Sequence, residues 1–333
     1  MAKRAAFDGI YCIVLGAVAG TAMAVLGLRF ALRRPEASLG EYGSKIVGKT
    51  AHTLILFLTA FFFLHLSAYI LREFTDFFVP TYLKETPPVA VSILVMSAAA
   101  SLAQSGVSAT FRFAQGCFWV IGLLFLIKPL FFLPSLDTPI WHEFARVHDW
   151  RAVWDQTVEL IPWYGELLLL AYLAPQFKTG QKMSKALWIS SMAGTYILVS
   201  EFLLMMVFFG PKLSATLMYP ALELAGFLHL GDFVHNMDPI IVSIWFAGLF
   251  VKLSVAFAVG TLLVSQALKL GDHKPITFPI AALVVAMSVV LARNPAELAS
   301  YFDRSWTAFA LFSEGLFFVY PLVARLRGMR GRS

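Results

Sequence analysis

Several ionisable side chains sit inside long apolar runs of this chain: Lys252, Glu166, Glu201, Glu314 and His65. An ionisable group in a membrane helix is costly, so each is a functional candidate until a partner is found. Lys252 lies near the middle of the apolar run 239–268, too deep for its ammonium to snorkel to either interface. It is either a fixed cation with a role of its own or a structural lysine paired with a carboxylate such as Glu201 or Glu166. Gly165 and Glu166 lie in the first part of another apolar run, just after Pro162. Proline and glycine both weaken a helix locally. A carboxylate at such an interruption can hold an amino group, or it can simply face water at the outer interface. Glu201 reads as half of a structural pair, and His65 as a packed histidine. Arg72, Glu73 and Asp76 read as a solvated face. Glu314 stands beside Gly315 without an evident partner.

Other chemistry is excluded by what the sequence lacks. No nucleophile stands with its base, and no glycine loop could cradle a phosphate. His142 and His148 flank Glu143, but their spacing fits no zinc pattern. Cys12 and Cys117 each lie in an apolar run and read as small core residues. The chain is therefore expected to be no enzyme, with no metal and no cofactor. Its formal charge of +6 is scattered over short connectors and the tail, so nucleic acid is not an expected partner.

The elements that must position these residues are membrane helices. Apolar residues make up 59% of the 333 positions and charged residues 14%, against about a quarter charged in soluble domains. Runs long enough to cross hydrocarbon cover 9–32, 51–71, 88–105, 110–133, 161–177, 184–209, 239–268, 276–292 and 306–324. Lipid cannot satisfy backbone polar groups, so these runs are expected to be helical. The expectation is an all-α polytopic membrane protein with about nine transmembrane helices, forming one integral membrane domain over residues 1–333. The connector 134–160, with Trp141, Trp150 and Trp154 among charges, reads as an amphipathic segment at the lipid interface. The connector 211–238 reads as a short re-entrant or interfacial helix. Most of the 26 lysines and arginines fall on the side that carries Arg325, Arg327, Arg330 and Arg332, which places the C-terminus in the cytoplasm.

Several motifs stand in an order that resembles a known family. They are Leu71-Arg72-Glu73-Phe74, Lys84-Glu85-Thr86-Pro87, the Gly106 to Arg112 spacing, and Trp163-Tyr164-Gly165-Glu166. Gly210-Pro211 and Tyr219-Pro220-Ala221-Leu222-Glu223 follow. The most specific stretch runs from Ile244-Trp245 through Phe250-Val251-Lys252-Leu253-Ser254, with Gln266 and the Lys269–Asp272 turn beyond it. Together these resemble the B-subunit family of spore germinant receptors, permease-like proteins of the amino acid–polyamine–organocation (LeuT-like) superfamily.

The resemblance implies a LeuT-like bundle of two inverted five-helix repeats, ten helices in the full family. Phe7-Asp8-Gly9 aligns with the start of the family's second helix. The first helix is thus expected to be missing from this sequence, and with it half of the ligand site. The remaining half is assigned to Gly165, Glu166, Trp245, Lys252 and Ser254. Lys252 would take the place of a coupling cation, and the interruption at Pro162–Glu166 would expose backbone donors to a ligand carboxylate. The function implied is nutrient sensing by a membrane subunit of a spore germinant receptor. Its ligand would be a small, amino-acid-like nutrient, and its partners A-type and C-type receptor subunits and membrane lipid. Its location would be the bacterial cell membrane or the inner membrane of the spore. The alternative is an APC-type secondary transporter of amino acids or other small solutes.

Overall fold

A computed structural model of the chain describes residues 5–34, 36–132, 148–177, 182–217, 219–220, 223–224, 238–301 and 305–329. The described residues form helices joined by short turns. The main helices are α1 (Gly9–Ala31), α2 (Lys49–Tyr82), α3 (Pro88–Gln104), α4 (Val107–Phe132), α5 (Trp150–Gly165) and α6 (Leu169–Leu173). They continue as α7 (Lys182–Ser214), α8 (Asp238–Ala267), α9 (Lys274–Val290), α10 (Pro295–Tyr301), α11 (Ser305–Gly315) and α12 (Val319–Leu326).

Among the described residues, six helical stretches are long and apolar enough to cross a membrane: Ala6–Ala31, Lys49–Tyr82, Trp150–Gln176, Lys182–Ser214, Val242–Ala267 and Ser305–Leu326. Two bent pairs raise the number to eight if each is one span: α3 with the first part of α4 at 119°, and α9 with α10 at 103°. The expected third and fourth spans thus meet at a sharp bend. Gly106 makes that bend with a φ of 97°, a region that side chains with a Cβ rarely enter.

Two expected boundaries move. α2 runs on to Tyr82, past the predicted end at Leu71 and through Pro80. Arg72 and Asp76 pair along it at 2.9 Å, and the Arg72 guanidinium donates to the Val289 carbonyl on α9 at 3.4 Å. The predicted solvated face is therefore packed between helices. The stretch 150–160, expected as an interfacial segment, is the first part of α5 and continues into the span. Asp149 caps it by accepting from the backbone amides of Arg151 and Ala152. Trp141, His142 and Glu143 lie outside the described residues, as does most of the second long connector.

The bundle is organised around two helix pairs. α2 packs most extensively on α8, and α1 on α5, with α7 also against α1. Without water to drive apolar burial, membrane helices associate where small residues let backbones come close. Gly16 and Gly20 on α1 do this: a Cβ at either would collide with Leu160 or with the Ile161 carbonyl on α5. Hydroxyls add to the packing, with Thr21 bonded to Ser191 of α7 and Tyr164 to Thr195 at 3.1 Å. α2 meets α11 through aromatic rings, with Phe62 stacked on Trp306 at 5.7 Å between ring centroids.

Candidate functional site

α5 and α11 are interrupted in the same way. α5 ends at Gly165 and tightens into a 3-10 turn over Glu166–Leu168, and α11 ends at Gly315 and tightens over Leu316–Phe318. Pro162 lacks an amide hydrogen and Gly165 lacks a side chain, so the helix is least held there. The interruption does not open the backbone as expected: the Glu166 amide donates to the Pro162 and Tyr164 carbonyls. The donors anticipated for a ligand carboxylate are therefore used within the helix. A 3-10 segment inside a helix is a common mark of a hinge.

At this interruption Glu166 meets Lys252. The ammonium Nζ lies 3.0 Å from Oε2 and 3.3 Å from Oε1. The Glu166 side chain is 10% exposed and that of Lys252 34%. Lys252 Nζ also stands 4.7 Å from the centroid of the Trp163 ring, whose negative face attracts a cation. Of the two roles open to Lys252, pairing with a carboxylate is the one its geometry fits, and Glu166 is the partner. Glu166 accordingly holds a lysine amine rather than standing free for an outside amino group.

The pair joins the two halves of the bundle. Glu166 follows α5, which packs on α1, while Lys252 is on α8, which packs on α2. α5 and α8 are not among the extensively packed helix pairs, so this side-chain bridge is a sparse link between better-packed units. Glu73, expected in water, is half-buried on α2 and lies within electrostatic reach of Lys252.

The other two candidate residues do not join this cluster. Trp245 lies two turns before Lys252, about 10 Å along the helix, and packs edge-on to Phe77 at 4.5 Å with Tyr219 at 5.9 Å. Ser254 is two positions beyond Lys252 and so points to another side of the helix. It is fully buried, with an Oγ that has no hydrogen-bond partner among the described residues.

Residues 1–296 match the sequence profile of the spore permease family, described as spore germination proteins. The chain belongs to that family. It is also 21% identical over 309 residues to "Spore germination protein KB" of Bacillus subtilis (strain 168), covering 87% of this chain and 79% of that one. The Glu166–Lys252 pair lies in the part matched by the spore permease profile, whereas Glu314 lies beyond it.

The remaining ionisable candidates of this spore permease family member resolve by their neighbours. Glu201 on α7 accepts from Lys128 of α4 at 2.6 and 2.7 Å, deep in the bundle. Lys128 was hidden in an apolar run, although a lysine there carries the same signal as Lys252. His65 packs among Trp306, Tyr301 and Phe309, which fits the reading as a packed histidine, but its Nδ1 makes no hydrogen bond. His148 pairs with Asp8 at 2.6 Å. Cys12 and Cys117 are both free thiols. Among the described residues, no group of three or more His, Cys, Asp or Glu side chains could hold a metal ion. A cavity of about 380 Å³ lies away from this site, between Lys49, His52, Gln266 and Lys269.

Proposed function

We propose that this chain is the nutrient-sensing membrane subunit of a spore germinant receptor, built on the LeuT-like inverted-repeat plan. The observation that carries the proposal is the Lys252–Glu166 bridge: one ion pair at a helix interruption, linking two helix pairs that otherwise meet sparsely. Family membership supports the germination context. A small amine- or carboxylate-bearing nutrient would compete for one member of the pair, and separation of α5 from α8 would carry the signal to A-type and C-type partner subunits. Gly165, Glu166 and Lys252 form the core of the site, with Trp245 and Ser254 along the same helix. The protein would reside in the bacterial cell membrane or the inner spore membrane, with its C-terminus in the cytoplasm.

Germination assays on spores carrying Lys252→Met test this. The methionine keeps length and apolar packing but leaves no cation for Glu166. The variant should reach the membrane at near-normal levels and fail to respond to amino acids. Lys252→Arg should also fail, since a planar guanidinium does not replace a compact ammonium. A normal response from the methionine variant would refute the role. The alternative, an APC-type secondary transporter, predicts that vesicles containing the wild-type protein accumulate labelled amino acid, whereas a sensor binds it without accumulation.

A further inference from the structure

Beside Gly165 lies a second acidic group that the ion pair does not satisfy. Glu314 on α11 is 5% exposed, and among the described residues no group donates a hydrogen bond to either of its carboxylate oxygens. Its carboxylate occupies the space where a Cβ on residue 165 would stand, so the glycine is what admits it. It lines a cavity of about 10 Å³, shared with Thr59 and Tyr172. That is room for about one water-sized particle.

Around its polar groups the cavity is walled by Phe62, Phe63, Leu168, Leu169 and Phe317. Every polar side-chain atom lining it is an oxygen: Thr59 Oγ1, Tyr172 Oη, Ser313 Oγ and the two of Glu314. Thr59 Oγ1 and Tyr172 Oη lie close enough to interact with each other, and neither has a further hydrogen-bond partner among the described residues. The Ser313 hydroxyl donates to the Phe309 carbonyl at 2.8 Å, which leaves its lone pairs available. A buried carboxylate is stabilised by a counter-charge or neutralised by a proton. The nearby charges do not provide one, because Lys252 is engaged by Glu166, and Glu73 adds a further acid within reach of the same lysine. Glu166 itself is close enough to act on Glu314 as a like charge.

We infer that Glu314, Thr59, Tyr172 and Ser313 form a binding site for one small monovalent cation of about the size of sodium. Hard cations of this kind are bound by carboxylate and hydroxyl oxygens. A bound ion would neutralise the surplus acid and occupy the single-particle cavity. It would also tie together α2, the segment around α6 and α11, where the two 3-10 interruptions adjoin. The site is separate from the Lys252 bridge, and it stands whether the protein senses or transports.

Thermal unfolding of the full chain in lipid nanodiscs, followed by tryptophan fluorescence, tests the site. Sodium chloride is titrated against choline chloride at constant ionic strength and fixed pH. The melting temperature should rise saturably with sodium, as binding to the folded state requires, and Glu314→Gln should abolish the rise. Thr59→Val and Tyr172→Phe keep the carboxylate and each remove one oxygen ligand. Each should shift the sodium midpoint upward about tenfold, which keeps the proposal testable if the glutamine variant does not fold. Equal melting in both salts, or an unchanged midpoint in Thr59→Val and Tyr172→Phe, overturns it. Stability that follows pH through Glu314 but ignores sodium also overturns it and identifies the counter-charge as a proton.

Discussion

Among the described residues two lysine–glutamate pairs link helices of the bundle, and they are built differently. Lys128 and Glu201 join α4 to α7 at 2.6 Å, with side chains 10% and 12% exposed. One charge meets one charge there, and the nearest ring, Phe125, is 5.9 Å from the ammonium. Lys252 and Glu166 are further apart, the lysine is three times more open, and the better π-donor Trp163 lies close to it. Further acids, Glu73 and Glu314, lie around that pair. An ion pair in a membrane is thus not in itself a functional mark. A closed one-to-one pair is a staple, whereas an open pair with surplus acid and a helix interruption beside it can be pulled apart.

The largest effect should come from breaking the staple. Lys128→Met leaves Glu201 buried and uncompensated, which costs about 3–5 kcal/mol. Little folded protein should survive detergent extraction and size-exclusion chromatography, and adding Glu201→Gln to Lys128→Met should restore most of it. Lys252→Met should cost less, about 1–2 kcal/mol, because the open lysine already competes with other contacts. Its melting temperature should fall by only a few degrees while ligand response is lost. If the two methionine variants melt alike, the distinction between staple and switch is wrong. The smallest effects should come from the rings. Trp163→Leu removes a cation–π contact worth about 1 kcal/mol, and Phe125→Leu, at the longer distance, should be close to neutral. Melting curves of the two single variants would reverse that order if Lys252 did not use the indole.

The helices were legible in the sequence because lipid leaves the backbone one way to satisfy itself. The run 239–268 became α8 within a residue at either end, since hydropathy and hydrogen bonding agree there. Where polar residues interrupt the hydropathy signal, it stopped short. α2 passes Leu71 because Arg72 and Asp76 find each other and the backbone of α9, contacts that lie beyond any local window. The candidate site was legible as a set of residue types, and Gly165, Glu166 and Lys252 do come together. Trp245 and Ser254 were grouped with them by motif, but the 100° step of a helix sends Ser254 elsewhere.

Sequence alone determined that Lys252, Glu166, Glu201 and Glu314 would need an answer to their burial, because the cost of a charge in hydrocarbon depends on the residue and not on its partner. It could not say which answer each would receive. Glu166 and Lys252 are 86 positions apart, and Lys128 and Glu201 are 73. Only the packing of the helices decided that Lys252 on α8 meets Glu166 beside α5, while Glu201 on α7 goes to Lys128 on α4. The same packing brought Glu314 against Gly165 with no hydrogen-bonding basic group among the described residues. Pairing energy falls off within a few ångströms, and distances of that size between remote segments are set by helix contacts rather than by the order of residues.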